Sequence, residues 1–233
     1  MRRDGILLFI NVALGLCLGA GVATLVAQLQ NVSPGIEPEQ LNSQYVILIS
    51  LFIIYFANLL RTFLGFVKFY QDESLYDADY EKLVDINKLC IVRLGDFLAM
   101  MLIVLSLIFQ GLLLHHYRAF SILFFISSAM FVIRNGVLHW VFNKLETSSS
   151  KLHTEIERIE LRGTNQVVRR WLIIDILFLF PAILLFFGIS PTEFQQFLFG
   201  IDACLLLILS GGDIWSSRMY YFGSALHEGA SPA

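Results

Sequence analysis

Residues 45–66 read YVILISLFIIYFANLLRTFLGF, an apolar run interrupted by one cation, Arg61. At 1.5 Å per helical residue a run of this length reaches roughly 33 Å, enough to cross the hydrocarbon of a bilayer. Comparable stretches occupy residues 6–27, 91–113, 119–138, 171–189 and 194–212. The fold class that follows is all-α: a polytopic membrane protein with six transmembrane helices.

The charges between these stretches are sorted by side. The joins between the first and second and between the fifth and sixth stretches carry no Lys or Arg, and the short one at 115–118 has only Arg118. The other face holds Arg2, Arg3, Lys68, Lys82, Lys88, Arg93, Lys144, Lys151, Arg158, Arg162, Arg169 and Arg170. The positive-inside bias places that face, with both termini, in the cytoplasm. The expected location is the inner (plasma) membrane of a bacterium. The short outer joins, HHYR at 115–118 and the turn around Gly188, Ser190 and Pro191, make their flanking helices antiparallel neighbours, so the expected arrangement is three hairpins opening toward the cytoplasm.

With 233 residues, 57% of them hydrophobic and 15% charged, the chain is a single membrane domain (1–233) without length for a separate soluble core. The mean hydropathy is +0.70. Basic residues of the cytoplasmic segments 67–90 and 139–170 are mixed with Asp72, Glu73, Asp77, Asp79, Glu81, Asp85, Glu146, Glu155, Glu157 and Glu160, which leaves no strip of positive potential for a nucleic acid. The opening MRRDG and the run behind it have the outline of a secretory signal, but the run is longer than a signal core and reads as the first span. Residues 28–44 read as an outer loop, and the sequon Asn31-Val32-Ser33 is followed by Pro34, which argues against glycosylation. Cys17, Cys90 and Cys204 share no CxxC spacing and read as buried, inert thiols.

Short helices are expected in both cytoplasmic segments. In residues 148–162, Leu152, Ile156 and Ile159 fall on one stripe behind a serine cap, the pattern of a helix that packs under the bundle, receives a cytoplasmic protein partner or lies on lipid, the last disfavoured by its acidic residues.

The informative side chains are the ionisable ones within or just inside the spans: Arg61, Arg93, Asp96, Arg134, Asp175, Asp213 and Arg218. An ion at mid-membrane costs about 2.5–3.5 kcal/mol on insertion scales, and a short Asp cannot snorkel out, so these groups are expected to form an inner-leaflet polar network. Chain order suggests Arg61 with Asp96, Arg134 with Asp175, and Asp4 with Arg218. Asp96 to Arg134 and Asp175 to Asp213 are both 38 positions apart, and aromatic residues follow Arg61, Arg134 and Asp213, which hints at a repeated hairpin. The network either holds the helices together or lines a wet path. Asp202, in the outer half of the last span and without a basic partner at its depth other than Arg118, is the candidate proton or cation relay unless Ser50 satisfies it.

Asn11 and Asn58 read as helix-joining polar residues, and Gly15, Gly19, Ala13, Ala20 and Gly21 as a small face for close packing or a subunit contact. Gly211-Gly212 and Pro181 are places where helical hydrogen bonding loosens. No catalytic residues are assigned, because HExxH, GxSxG, Walker and dinucleotide-binding patterns are missing. His115, His116, His139 and His153 do not make a metal set, and no cofactor is expected. The functional expectation is a non-enzymatic membrane scaffold or sensor working through a cytoplasmic partner at 148–162. The alternatives are a small homo-oligomeric ion or proton channel or transporter with a charged inner vestibule and, third, a membrane-embedded enzyme. The partners expected are the lipid bilayer and further copies of the chain.

Overall fold

The computed structural model describes residues 3–30, 38–72, 86–148, 155–187 and 193–216, and all of it outside one tight turn is helix. The helices are α1 (Arg3–Gln30), α2 (Pro38–Asp72), α3 (Ile86–Leu112), α4 (Tyr117–Ser148), α5 (Glu155–Phe187) and α6 (Glu193–Ser216). Hydrocarbon offers no partner to a backbone N–H or C=O, so apolar runs of this length satisfy their own groups as helices. Between α3 and α4 the chain reverses in a few residues, with Leu113 N donating to Phe109 O and His116 N to Leu113 O, both at 2.9 Å. α5 continues through Pro181, which has no N–H to return to the preceding turn. The helical stretch expected within 148–162 is, from Glu155 on, the start of α5; Leu152 lies outside the described residues, as do the side chains of Ile156 and Ile159.

Among the described residues, four segments are long and apolar enough to cross a membrane: Gly5–Gln30, Tyr45–Tyr70, Cys90–Leu112 and Tyr117–Lys144. The described apolar part of α6, Cys204–Asp213, is shorter. The outer surface confirms the setting, since Leu8, Leu16, Ile91, Ile133, Phe180 and Ile208 are all exposed, Ile91 and Ile208 at 70%. A surface studded with large aliphatic residues on every helix suits lipid and not water.

α1, α3, α4, α5, α6 and α2 form a closed ring, each packed against the next, and α2 also touches α3 across it. Chain-adjacent pairs are in contact, but the most extensive packing runs between pairs, α4 against α5 and α2 against α6. Pairwise contacts give the directions. Phe9 meets Phe97 and Gly21 approaches Gly111, so α1 and α3 run parallel. Asn135 meets Asp175 and Phe125 meets Phe186, so α4 and α5 are antiparallel. α6 brings Asp213, near its C-terminal end, back to the level of Asp175, and thus runs with α2 and against α5. The ends carrying Lys68, Arg93, Lys144, Arg169 and Arg170 lie together and form the basic end of the bundle.

Inward faces follow helical period: Ile6, Ile10, Ala13 and Cys17 on α1, then Leu51, Ile54, Leu59, Phe63, Phe66 and Phe69 on α2. Because lipid tails are as apolar as leucine, burying such residues discriminates little between packings, and close fits and polar contacts decide the arrangement. Tyr55 makes the tightest fit. Its ring is wedged between Gly21 of α1 and Gly111 of α3, where any Cβ would strike it, and its hydroxyl donates to Cys17 O at 2.5 Å. Of the small face expected on α1, Gly21 and Ala13 pack inward, whereas Gly15 and Gly19 are exposed with open space around them among the described residues, because the α1 face turned to Tyr55 is that of Cys17 and Gly21. Asn11 is exposed as well. Of the cysteines only Cys17 is buried; Cys90 and Cys204 fall on outward helical positions.

Gly21→Ala and Gly111→Ala should each lower thermal stability in mild detergent, by about 1–3 kcal/mol for an overpacked contact. Gly15→Ala and Gly19→Ala should be neutral or slightly stabilising, since alanine favours a helix over glycine. Equal losses at all four positions would contradict the wedge.

Candidate functional site

Toward the basic end of the bundle, α2 turns Asn58, Arg61, Thr62, Phe66, Phe69 and Tyr70 inward at three- and four-residue spacing. Arg61 and Arg134 sit three to four residues beyond the middle of their apolar segments Tyr45–Tyr70 and Tyr117–Lys144, roughly 5 Å toward the basic end. At that depth a guanidinium keeps its charge only if carboxylates come to it.

Two do so at Arg61. Its Nη2 lies 2.5 Å from Asp175 Oδ1 of α5 and its Nε 2.8 Å from Asp213 Oδ2 of α6. Phe178 stacks over the guanidinium, 4.4 Å from Cζ to ring centre, so the face without hydrogen-bond donors is covered by an aromatic ring. Asp175 Oδ2 also accepts from Asn135 Nδ2 of α4 at 2.5 Å. Arg134 Nε lies 2.8 Å from Asp96 Oδ1 of α3, and Nη1 donates to Asn135 Oδ1 at 3.2 Å. Asp96 Oδ2 accepts from the Tyr70 hydroxyl, while Phe66 and Phe69 flank Arg134 with ring centres 5.0 Å from its Cζ. Asn135 therefore joins two ion-pair groups into one network drawn from α2, α3, α4, α5 and α6. Arg61, Asp96, Arg134, Asp175 and Asp213 are all buried.

This pairing corrects the order suggested by the chain. Arg61 meets Asp175 and Asp213, not Asp96, and Arg134 meets Asp96, not Asp175. Asp96 reaches α2 at Tyr70, nine residues past Arg61, about 13 Å along the axis and beyond that guanidinium. The ring closure that lays α5 and α6 against α2 supplies the carboxylates instead.

Two guanidiniums and three carboxylates make up this cluster. Arg61, Thr62, Arg134, Asn135, Asp175 and Asp213 line a cavity of about 20 Å³, roughly the space of one water. Arg134 Nη2 has no hydrogen-bond partner among the described residues, nor do Asn58 Nδ2 and Ser210 Oγ, one turn away from Arg61 and Asp213. Asn58, expected to join helices through its side chain, instead accepts at its backbone carbonyl from Thr62 Oγ1 at 2.6 Å.

Of the other residues singled out from sequence, Arg93 is half-buried on α3, one turn closer to the basic end than Asp96. Arg218 lies outside the described residues, as do the side chains of Asp4 and Asp202. Tyr70 and Asn135 were not singled out; the signal for Asn135 was an amide beside Arg134 within an apolar run. A second polar group joins α3 to α4 near the opposite end, where Gln110 Nε2 donates to Ser127 Oγ at 3.0 Å and Ser106 Oγ to Leu123 O at 3.0 Å. His139 Nδ1 lies 2.8 Å from Asn165 Oδ1. In the turn after α3, slight burial and then the neighbouring His116 hold His115 below the ordinary histidine range. Among the described residues no group of three or more His, Cys, Asp or Glu is placed to hold a metal ion. Arginines separate the buried carboxylates.

No protein-family model matches the chain, and neither does any curated protein or solved structure.

Arg61→Gln should destabilise the bundle by about 3–5 kcal/mol, the cost of stranding buried carboxylates. Adding Asp175→Asn should recover part of the loss, and adding Asp96→Asn should not. For Arg134→Gln the rescuing partner should be Asp96→Asn. Unfolding midpoints of these double variants check the pairing, and the reverse pattern of rescue would overturn it.

Proposed function

We propose that the protein is a small ion- or proton-conducting membrane transporter or channel whose working site is the buried cluster around Arg61. The observation that carries this reading is the buried cluster itself: Arg61, Arg134, Asp96, Asp175 and Asp213 at one level inside the apolar layer, next to a water-sized cavity. Ionisable groups inside a membrane layer mark ion and proton paths, and carboxylates beside a space of this size can hold a proton or a small cation.

In this reading all six helices cross the membrane, with both termini on the cytoplasmic side as the Lys and Arg bias indicates. Support for including α5 and α6 is that Asp175 and Asp213 stand level with Arg61 in the apolar layer. The cavity is built within a single chain, so conduction does not depend on an interface between copies. The scaffold reading rests on a partner helix at 148–162, whose side chains lie outside the described residues, and gains nothing from the buried cluster.

Purified full-length protein in liposomes should dissipate an imposed proton, sodium or potassium gradient faster than protein-free liposomes, and Asp213→Asn should slow it. A folded, inserted protein that moves none of these ions would overturn the proposal.

A further inference from the structure

α4 and α5 meet along a seam with two edges. On the buried edge Asn135 meets Asp175. On the other, Leu172 Cδ1 comes within 3.9 Å of where a Cβ of Gly136 would stand, and both residues are only half-buried. Nearer the basic end the helices touch again, His139 Nδ1 lying 2.8 Å from Asn165 Oδ1. Arg169 falls between these two contacts on α5, four residues after Asn165 and three before Leu172, and so shares their face. Trp140 holds the matching place on α4, next to His139 and four residues past Gly136. Trp140 and Arg169 stand five and six residues from the Asn135–Asp175 contact, about 8–9 Å toward the basic end and thus level with each other. Both are exposed, so they flank the outer edge of the seam. Lys144, a further turn along α4, holds its Nζ 4.2 Å from the centre of the Trp140 ring. It also ends the apolar segment Tyr117–Lys144, which sets all three side chains at the depth where hydrocarbon gives way to headgroups.

We propose that the outer edge of the α4–α5 seam binds an anionic phospholipid from the leaflet at the basic end, with its phosphate on Arg169 and Lys144 and its glycerol region on Trp140. A guanidinium offers paired N–H groups that match two phosphate oxygens, and an ammonium adds a compact point charge. An indole suits the same boundary, with an apolar body and one N–H donor. The occupant is a lipid and not a free anion because the seam continues toward mid-membrane as apolar surface. Ile133 of α4 and Ile173, Ile176 and Phe180 of α5 are exposed there, a surface that acyl chains cover. Net charge selects the headgroup: phosphatidylglycerol brings only its phosphate, whereas phosphatidylcholine brings a cation that Arg169 and Lys144 repel. Arg170 supplies the comparison. Two residues from Leu172, it turns to the opposite side of α5, where it is equally exposed. Lipid binding at this edge is independent of any ion movement through the bundle.

The test is native mass spectrometry of the full-length protein in mild detergent, titrated with phosphatidylglycerol or with phosphatidylcholine. Wild type should bind phosphatidylglycerol more tightly than phosphatidylcholine. Arg169→Gln and Lys144→Gln should each weaken phosphatidylglycerol binding about fivefold, the share of one basic side chain at an anionic surface, and Trp140→Leu should weaken it as well. Arg170→Gln removes the same charge one residue away and should leave the affinity unchanged. Thermal midpoints without added lipid should stay near that of the wild type in all four variants, as for other exposed positions. Equal affinity for the two lipids would overturn the proposal, and so would equal losses in Arg169→Gln and Arg170→Gln, which would mean diffuse charge attraction in place of a seam site. Inorganic phosphate that displaced phosphatidylglycerol at comparable concentration would overturn the lipid assignment in favour of a bare anion. Binding of neither lipid would overturn the site and leave the transport reading untouched.

Discussion

An arginine near the middle of an apolar helix must stay charged, and its counter-ions must come to it. That constraint on Arg61 organises the bundle. Asp175 and Asp213 belong to the last two helices, and their contact with α2 closes the ring that chain order alone would leave open. Arg134 acts the same way on a smaller scale, drawing Asp96 of α3 while Asn135 couples it to Asp175. Because the apolar faces of these helices are nearly as well satisfied by lipid as by one another, the directional contacts carry the specificity of the assembly.

α2 is the axis of that assembly. Within one helix, Tyr55 fits against α1 and α3, Arg61 pairs with α5 and α6, and Tyr70 bonds to Asp96 of α3. These are different kinds of constraint. Tyr55 fixes distance, through two glycines that leave room for its ring, whereas Arg61 fixes which helices are neighbours. The aromatic rings over both guanidiniums serve a third purpose, keeping water from the faces that have no donors.

Hydrophobic length was enough to expect an all-α chain with helices long and apolar enough to cross a membrane, since it depends on residue type and position along the chain. That Arg61, Asp96, Arg134, Asp175 and Asp213 share one level of the bundle follows from their comparable distances from the ends of their apolar runs. Their partners do not follow in the same way. Pairing depends on azimuth and on which helices touch, and a nine-residue offset between Arg61 and Tyr70 was sufficient to take Asp96 from one arginine to the other. The equal 38-residue intervals did mark residues that come together, in one case an ion pair and in the other two carboxylates on a shared arginine. Of the small residues of α1, Gly21 and Ala13 pack inward while Gly15 and Gly19 share an exposed face, because Tyr55 selects the side with Gly21. Asn135 and Tyr70 passed unnoticed because an amide next to an arginine, or a tyrosine at a helix end, carries no distinctive spacing.

Whether Arg61 holds the last helices against α2 is the quantity on which this account turns. Spin labels at Leu60 of α2 and Ile208 of α6, both exposed positions, measure it directly in the reconstituted protein. One narrow distribution of inter-label distances is expected in the wild type and a broadened one in Arg61→Gln. A distribution that stays narrow and unshifted in Arg61→Gln would contradict the account.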